Sequence, residues 1–575
     1  MLASILLGLC MTGVAVEAVE SGASVLHTIK DGGLRGSLQY STSDPEKPIF
    51  TFRSIPYAVP PLGDLRFKPP QKNKPWSGVR DATQRAPECI QDPAQSDTLE
   101  DVGWPIEKNR PMSEDCLLLD VFTQTLNEKA KLPVMVWIHG GGFMLGSNRM
   151  YDGTVLASTG DVVIVTINYR LGPLGFLSTG DDDAPGNAGL LDQIQALKWV
   201  NENIASFGGD PKEVTIFGES AGGMSVMALS ISPLAEGLFS RAIPQSGSVL
   251  YMEYLQPAGS GQYLNSELAK AVGCDSTAGN KELVACLRTT STDDIINAKP
   301  PQGMWYWPFQ PTYGDAFMPK TPNDMVKDAA TKRRIRDINF MIGIMENEGY
   351  LLTGKNSFPH FTENKTKETL FQDYKPMLQM FTLPDPSDEE AYERLEKALI
   401  ERFLPQKKPT EDELTLAIAR MFGDSVLSIP VLRTANALKE IGADVFVYEL
   451  SHSPLHLRFH GRPAYIKADH GDDIFYMFGI SKSPMNTDDT FLWDDNDVII
   501  ENQMLKYWTN FGKTGNPNGG NLLEWPQFST DNHEAISLRL RSVILNKFRD
   551  DSVKFWSETV QNLIKKQDSD QKEEL

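Results

Sequence analysis

The sequence predicts an α/β fold in which a large, mostly parallel central sheet is covered by helices on both faces. Continuous apolar runs, typical of strands buried on both faces, lie at residues 133–138, 161–167, 214–217, 338–344 and 445–448. Residues 187–205 carry apolar side chains at three- and four-residue spacing, which predicts an amphipathic helix between two of these runs. Strands that alternate with helices are typical of a parallel, covered sheet.

Length and composition favour one large domain. The chain has 575 residues, of which 41% are hydrophobic, which is enough for a large buried core. No internal repeat, low-complexity stretch or linker divides it, so we expect a single domain over residues 19–575. The formal net charge of -21 argues against binding to DNA or RNA, because an acidic surface repels phosphates.

Both ends of the chain carry possible targeting signals. Residues 1–18 resemble a secretory signal peptide, with an apolar core at 5–11 and a small residue, Ala18, at the cleavage end, although Lys and Arg are missing from its start. No later run is apolar enough to predict a transmembrane segment. The last four residues, 572–575, resemble an ER-retention signal without matching its standard form, which leaves secretion and the ER lumen open. Asn364 lies in a glycosylation sequon.

The cysteines are typical of an oxidising compartment. Cys10 lies in the predicted signal peptide, and the four that remain are Cys89, Cys116, Cys274 and Cys286. Four cysteines allow three pairings, of which nearest-neighbour pairing closes two local loops. Their spacing does not resemble a zinc site, and we expect no metal.

Ser220 lies at the centre of Gly-Glu-Ser-Ala-Gly, residues 218–222, directly after the apolar run 214–217. A sharp turn from a strand into a helix holds a serine oxygen clear of the backbone, and the turn needs small neighbours. The following helix directs its free N–H groups at the reaction centre. The short pattern also fits an ordinary turn, but its position after a strand favours a nucleophile.

A glycine triplet follows the run 133–138, in His-Gly-Gly-Gly-Phe at residues 139–143. Fixed backbone N–H groups stabilise the negative charge that develops on a carbonyl oxygen during acyl transfer. Such a triplet is also compatible with a flexible loop. Together with the Ser220 turn it predicts an oxyanion hole, to which Ala221 contributes the N–H after the nucleophile.

A serine nucleophile needs a histidine base and an orienting carboxylate, and the residues alone leave both choices open. The candidate acids after the run 338–344 are Glu346 and Glu348. The candidate bases after the run 445–448 are His452, His456, His460 and His470. The order serine, acid, histidine is that of one hydrolase fold.

These motifs resemble the type-B carboxylesterase and cholinesterase family of α/β-hydrolases. Within that family the sequence most resembles arthropod carboxylesterases. The resemblance covers nearly all of the chain after the signal peptide. It is carried by residues 52–58, 113–119, 139–143, 168–172, 207–211, 218–222, 348–349, 470–473, 508–511 and 515–517.

The resemblance implies the roles of the site residues. It implies Ser220 as nucleophile, Glu348 as acid, His470 as base, and Gly141, Gly142 and Ala221 as oxyanion donors. It also agrees with the pairs Cys89–Cys116 and Cys274–Cys286, and it gives Glu219 and Ser246 as polar neighbours of the site. The implied reaction is ester hydrolysis through an acyl-enzyme, without a metal or cofactor.

The substrate is less well defined by the sequence. Trp305, Trp307 and Phe309 lie where the family has its acyl pocket, although aromatic residues there also fit ordinary core packing. Trp104 lies in the first disulfide loop, but its spacing and neighbours depart from the cholinesterase pattern, so it is not assigned to a choline site. Glu219 stands where juvenile hormone esterases usually have glutamine. We expect a small-molecule substrate, a broad or xenobiotic and lipophilic ester; a cholinesterase and a juvenile-hormone-type esterase are the alternatives.

A different class of protein also shares this resemblance, namely the cholinesterase-like adhesion proteins of the neuroligin type, which act by binding partners. Those proteins typically lack the serine and carry a membrane span. Ser220, Glu348 and His470 are all present in this chain, which favours an enzyme.

Overall fold

The computed structural model describes most of the chain. The described ranges are residues 16–19, 22–41, 47–101, 103–104, 107–252, 255–277, 279–298, 309–353, 375, 378–379, 382–383, 387–404, 410–482 and 492–564. Trp305, Trp307, Asn364, the C-terminal tetrapeptide and most of the predicted signal peptide lie outside these ranges.

The strands within these ranges are numbered in chain order. They are β1 (Val16–Val19), β2 (Gly22–Ile29), β3 (Gly32–Tyr40), β4 (Pro48–Pro56), β5 (Val79–Asp81), β6 (Leu118–Thr123), β7 (Leu132–Ile138), β8 (Val163–Ile167), β9 (Gly209–Glu219), β10 (Arg241–Gln245), β11 (Gln256–Pro257), β12 (Thr312–Tyr313), β13 (Asn339–Met345), β14 (Asp444–Leu450), β15 (Ala535–Leu538) and β16 (Val543–Leu545). The strands β7, β8, β9, β13 and β14 coincide with the five apolar runs within a few residues.

The central sheet is mixed. Its order is β1-β2-β3-β4-β6-β8-β7-β9-β10-β13-β14-β15-β16, with β5 beside β3. The strands from β8 to β15 along this order are parallel, as expected, whereas those from β1 to β8 and the pair β15–β16 are antiparallel. A short connection, such as the turn between β2 and β3, can join only antiparallel strands. The parallel strands at the centre of the sheet need longer crossover connections.

Helices pack around this sheet. The α-helices within the described ranges are Pro93–Asp101, Thr154–Gly160, Gly172–Phe176, Ala188–Asn203, Ala221–Ile231, Gln262–Ala271, Asn280–Thr289, Thr292–Asn297, Pro322–Met325, Ala329–Arg336, Tyr350–Thr353, Glu389–Phe403, Glu411–Gly423, Ile429–Ile441, Leu455–Phe459, Asp472–Met477, Asp495–Thr514, Asp550–Lys554 and Gln561–Ile564. The predicted amphipathic helix forms at Ala188–Asn203.

The core lies on both faces of the sheet. Along β7, Val134 and Val136 belong to one buried apolar cluster, and Met135 and Trp137 belong to another. Because successive side chains of a strand point to opposite faces, both faces of the central strands are covered. The continuous apolar runs predict such a covered sheet, and the family resemblance implies the α/β-hydrolase fold.

The stretch Glu411–Ile441 is long and apolar enough, by length and composition, to cross a membrane. In the structure 72% of its most apolar window is buried inside the protein. Burial of this kind is typical of a core helix as well, so the stretch is weak evidence for a membrane span.

Two disulfides close local loops. Cys89 bonds Cys116, and Cys274 bonds Cys286, with sequence separations of 27 and 12 residues. These are the pairs that the family resemblance implies. Stable disulfides are typical of proteins that fold in an oxidising compartment.

Candidate active site

The candidate residues follow the carboxyl ends of the parallel strands. Ser220 comes directly after β9, Glu348 lies three residues after β13, and the loop after β14 leads to His470. Parallel strands end at the same edge of a sheet, which is where ligands bind in such folds. The three residues are far apart in the sequence, and the sheet brings them together.

The turn at Ser220 has an unusual backbone. Its φ of 58° and ψ of -124° lie in a region that residues with a side chain seldom adopt. The Ser220 N–H donates to the Gln245 carbonyl oxygen over 2.9 Å, which holds the turn against β10. A Cβ atom at Gly222 would lie 2.1 Å from the Ile138 carbonyl oxygen, so the close approach to β7 requires glycine there.

A chain of hydrogen-bond distances joins Ser220, His470 and Glu348. Ser220 Oγ lies 2.8 Å from His470 Nε2, and His470 Nδ1 lies 2.8 Å from Glu348 Oε2. A carboxylate only accepts hydrogen bonds, so Nδ1 carries the proton and donates to Glu348. The other oxygen of Glu348 accepts the Met345 N–H over 2.8 Å. This geometry allows Nε2 to take the proton of the serine.

Glu219 brings a second carboxylate to the same imidazole. Its Oε1 lies 3.2 Å from His470 Nε2, and both side chains are buried. Burial lowers the pKa of His470, but Glu219 and Glu348 raise it by more, so it lies above its usual range. Burial raises the pKa of Glu219, and His470 offsets part of that shift. The histidine is therefore held between two acidic groups.

The glycine triplet forms a tight loop after β7. Gly141 and Gly142 have φ values of 104° and 62°, and a Cβ atom at Gly141 would lie 2.1 Å from the Leu145 carbonyl oxygen. In the part of the chain that the structure describes, the N–H groups of Gly141 and Gly142 donate no hydrogen bond. Ala221 is the first residue of its helix, so its N–H has no acceptor within the helix.

The loop is held by the residue that begins it. The His139 ring stacks on the Tyr169 ring with centroids 4.4 Å apart, and Tyr169 Oη donates to the His139 carbonyl oxygen over 2.8 Å. His139 Nδ1 donates to the Gly140 carbonyl oxygen over 2.9 Å. Donors held in this way need no reorganisation when charge develops on a substrate oxygen.

The other candidate acids and bases are engaged elsewhere. His452 Nε2 lies 2.9 Å from Asp497, and His456 Nε2 donates to the Gly103 carbonyl oxygen over 3.1 Å. The His460 ring lies tilted against the His456 ring, with centroids 4.6 Å apart. Of the two candidate acids it is Glu348, not Glu346, that contacts His470.

One group of side chains has the composition of a metal site. His452, Asp494 and Asp497 bring one ligand atom each within 4.8 Å of one another. Asp497 already accepts hydrogen bonds from Tyr476 Oη and from the backbone of Leu455. Hydrogen bonding at the start of the helix Asp495–Thr514 accounts for this arrangement.

The structure describes Phe309 and Ser246 among the residues predicted to lie at the edge of the site. Phe309 is half-buried against the core, and its neighbour Gln310 donates through Nε2 to the Gly142 carbonyl oxygen over 3.1 Å. Ser246 is buried, has a φ of 48°, and donates its N–H to the Gly343 carbonyl oxygen over 2.9 Å. Trp305 and Trp307 lie outside the described residues.

Trp104 lies beside Gly471, the residue that follows His470. A Cβ atom built on Gly471 would lie 2.7 Å from Trp104 Cζ2 and 3.8 Å from Glu219 Oε1. The indole and a carboxylate therefore both border the residue that follows His470. The same indole also packs on Phe475, with ring centroids 4.9 Å apart.

Sequence patterns did not point to Gln245, which supports the turn at Ser220. Its carbonyl oxygen accepts the Ser220 N–H, and its Nε2 donates to Asp473 Oδ2 over 2.7 Å. Tyr448 Oη donates to the same oxygen over 2.8 Å. The acidic residues after His470 were visible in the sequence, but they did not identify Gln245 on β10 as a hydrogen-bond partner.

Comparison with known proteins shows that the chain is similar to carboxylesterases. The model of the carboxylesterase family matches residues 23–556. The chain is 36% identical over 556 residues to pyrethroid hydrolase Ces2a of Mus musculus, covering 95% of this chain and 93% of that protein. It is 35% identical over 568 residues to acylcarnitine hydrolase of Mus musculus, covering 97% and 95%. It is 34% identical over 549 residues to cocaine esterase of Homo sapiens, covering 95% and 93%.

Proposed function

The chain belongs to the carboxylesterase family and is a carboxylic ester hydrolase, and from that premise we propose that Ser220 is its nucleophile, His470 its base and Glu348 its acid. The observation that carries the proposal is the pair of 2.8 Å distances that link Ser220 Oγ, the His470 ring and Glu348 Oε2. The test is whether Ser220→Ala removes hydrolysis and organophosphate labelling together.

The proposed reaction has two halves. Ser220 Oγ attacks the ester carbonyl while His470 Nε2 takes its proton, and the alcohol leaves with that proton to give an acyl-enzyme. Water then attacks the acyl-enzyme, His470 takes a proton from the water, and the acid is released as Ser220 Oγ regains its proton. Glu348 stabilises the imidazolium in both halves.

The N–H groups of Gly141, Gly142 and Ala221 are the proposed oxyanion hole. Support comes from the two glycine N–H groups that lack acceptors among the residues described and from the start of a helix at Ala221. The negative charge that develops on the substrate oxygen would be stabilised by these donors without reorganisation.

We propose broad, lipophilic ester substrates. The names of the relatives described above refer to chemically different substrates, namely pyrethroids, acylcarnitine and cocaine, which supports a tolerant pocket. The acyl pocket at Trp305, Trp307 and Phe309 stays a prediction. The three relatives come from mouse and human, so the likeness to arthropod carboxylesterases and the juvenile-hormone alternative also stay predictions.

Esters of cationic alcohols are a second candidate class. The indole of Trp104 and the Glu219 carboxylate both border Gly471, and an aromatic face with a nearby carboxylate favours a cation. If this class is the true one, the wild-type enzyme hydrolyses acetylthiocholine faster than phenyl acetate. Trp104→Ala then lowers kcat/KM for acetylthiocholine by about tenfold or more, as expected for a desolvated cation–π contact, and spares phenyl acetate. Equal losses on both esters would assign Trp104 to packing against Phe475 instead.

The pH dependence of hydrolysis tests the role of Glu219. His470 acts as a base only when its ring is neutral, and the Glu219 carboxylate raises the pKa of that ring. Glu219→Gln removes the charge, so the pKa of His470 falls and the acid limb of kcat/KM moves to lower pH. The profile is measured on an uncharged ester, with the exposed Glu236→Gln variant as a control for net charge. An unchanged or higher midpoint in Glu219→Gln would contradict this role.

We propose that the protein folds in the secretory pathway. The two disulfides support an oxidising compartment. A signal peptide over residues 1–18, a single domain over residues 19–575, glycosylation at Asn364 and retention through the C-terminal tetrapeptide stay predictions.

A further inference from the structure

The acid and the base are carried by two separate loops that lie side by side. We call residues 346–350, which follow β13 and include Glu348, the acid loop. We call residues 467–471, which precede the helix Asp472–Met477 and include His470, the base loop. The hydrogen bond between Glu348 and His470 depends on how these loops are aligned.

Asn347 joins the two loops from the acid side. Its backbone N–H donates to the Ala468 carbonyl oxygen over 2.8 Å, and its side-chain Oδ1 accepts the Lys467 N–H over 2.8 Å. Asn347 is 1% exposed, so water does not compete for these bonds. The residue directly before Glu348 therefore holds the start of the base loop.

Asp469 joins them from the base side. Its Oδ1 accepts the Tyr350 N–H over 3.1 Å, and the residue is fully buried. Its own N–H donates to Asp472 Oδ2 over 2.9 Å, and Arg462 forms an ion pair with Asp472 and lies 3.8 Å from Asp469. The residue directly before His470 therefore holds the end of the acid loop.

The two contacts have the same design. Each side chain comes from the residue that immediately precedes a proposed catalytic residue, and each accepts a backbone N–H from the opposite loop. In the acid loop Glu348 lies between Asn347 and Tyr350, and in the base loop His470 directly follows Asp469. Two such bonds restrict the loops from sliding past one another, which would lengthen the 2.8 Å contact between Glu348 and His470.

We propose that Asn347 and Asp469 are positioning residues that keep Glu348 and His470 aligned through these two cross-loop hydrogen bonds, an inference that rests on the proposed roles of Glu348 and His470. The effect is on geometry, and it needs an acceptor oxygen at position 469 rather than a negative charge. Asparagine at 469 keeps that acceptor, whereas alanine removes it. Misplacement of a catalytic group by about 1 Å costs about 100-fold in rate.

The experiment compares Asp469→Ala, Asp469→Asn and Asn347→Ala with the wild-type enzyme. Asn265→Ala is the matched control, because that buried asparagine makes a side-chain hydrogen bond of 2.8 Å to the Ser178 carbonyl oxygen in another region. The readouts are kcat and KM on a neutral aryl ester, the rate of labelling of Ser220 by a fluorophosphonate, and the melting temperature.

We expect kcat and the labelling rate to fall together by roughly 10- to 100-fold in Asp469→Ala and Asn347→Ala, with little change in KM. Asp469→Asn keeps most of both rates, and Asn265→Ala lowers only the melting temperature. A folded Asp469→Ala variant with wild-type rates would overturn the proposal. So would an Asp469→Asn variant as slow as Asp469→Ala, because charge would then be the cause.

Two further outcomes keep the test decisive. If Asp469→Ala does not fold, Asn347→Ala is the second test. It removes only the side-chain acceptor for Lys467, because the backbone N–H of residue 347 still donates to the Ala468 carbonyl oxygen. A folded Asn347→Ala variant with wild-type rates overturns the proposal. If the fluorophosphonate labels the wild-type enzyme elsewhere than at Ser220, the proposed function fails, and that result is separate from any difference among the variants.

Discussion

Replacement of Ser220 by alanine is expected to lower kcat by about 10⁴-fold or more, because the substitution removes the atom that forms the acyl-enzyme. KM changes little, since the glycine loop and the pocket walls remain. The variant also loses covalent labelling by an organophosphate, which forms its bond to the same oxygen. Hydrolysis of an aryl ester and the mass of the labelled peptide measure the two effects.

A matched variant separates the chemistry from the fold. Ser230 lies in the helix Ala221–Ile231, which follows Ser220. It is buried and donates through Oγ to the Val226 carbonyl oxygen over 2.8 Å. Ser230→Ala removes the same atom at the far end of the helix and should keep both hydrolysis and labelling. Full activity in Ser220→Ala, or a label on another residue, would refute the assignment of the nucleophile.

Replacement of His470 by alanine is expected to have an effect of similar size. Without the ring, Ser220 Oγ has no base at 2.8 Å, and the leaving alcohol has no acid. Removal of the base of a serine hydrolase costs about as much as removal of the nucleophile. The measurement is kcat on an aryl ester, with His470→Ala compared with the wild-type enzyme at its pH optimum.

The other histidines of the same region are the controls. His452→Ala and His460→Ala should keep most of the wild-type kcat, because their rings lie against other partners. His456→Ala loses a hydrogen bond to Gly103, next to Trp104, so a change in KM is compatible with the assignment. A loss of kcat in any of them equal to that of His470→Ala would contradict the choice of base.

The local patterns predicted the central strands well. Both faces of β7, β8 and β9 are buried, so their apolar runs are continuous and their positions follow from residue type alone. The turn at Ser220 could also be predicted from the sequence. Ile138 lies so close to Gly222 that a small residue is required there, and the glycine is visible in the sequence. The antiparallel edges of the sheet were less evident, since a mixed sheet depends on which strands become neighbours.

The residues that support Ser220, Glu348 and His470 from distant parts of the chain were not predicted. Gln245 supports the Ser220 turn through its carbonyl oxygen, which every residue has, so its type gives little indication of that role. Asn347 and Asp469 accept backbone N–H groups from another loop, and no local pattern encodes such a partner. The proximity of Trp104 to Gly471 likewise depends on where the first disulfide loop folds. Its spacing and neighbours depart from the cholinesterase pattern, so the sequence did not assign it to a choline site.

The order of the strands also has a consequence for biosynthesis. Ser220 and His470 are 250 residues apart, and Glu348 and His470 are 122 residues apart, so the proposed catalytic contacts are non-local. Contacts of this kind form late and slowly in folding. A chain emerging from the ribosome therefore contains its proposed nucleophile long before its proposed base, and with these roles it cannot cleave esters until about four-fifths of it has been made. Hydrolysis thus reports that the chain has folded at least as far as the strands and loops that bring residues 220, 348 and 470 together.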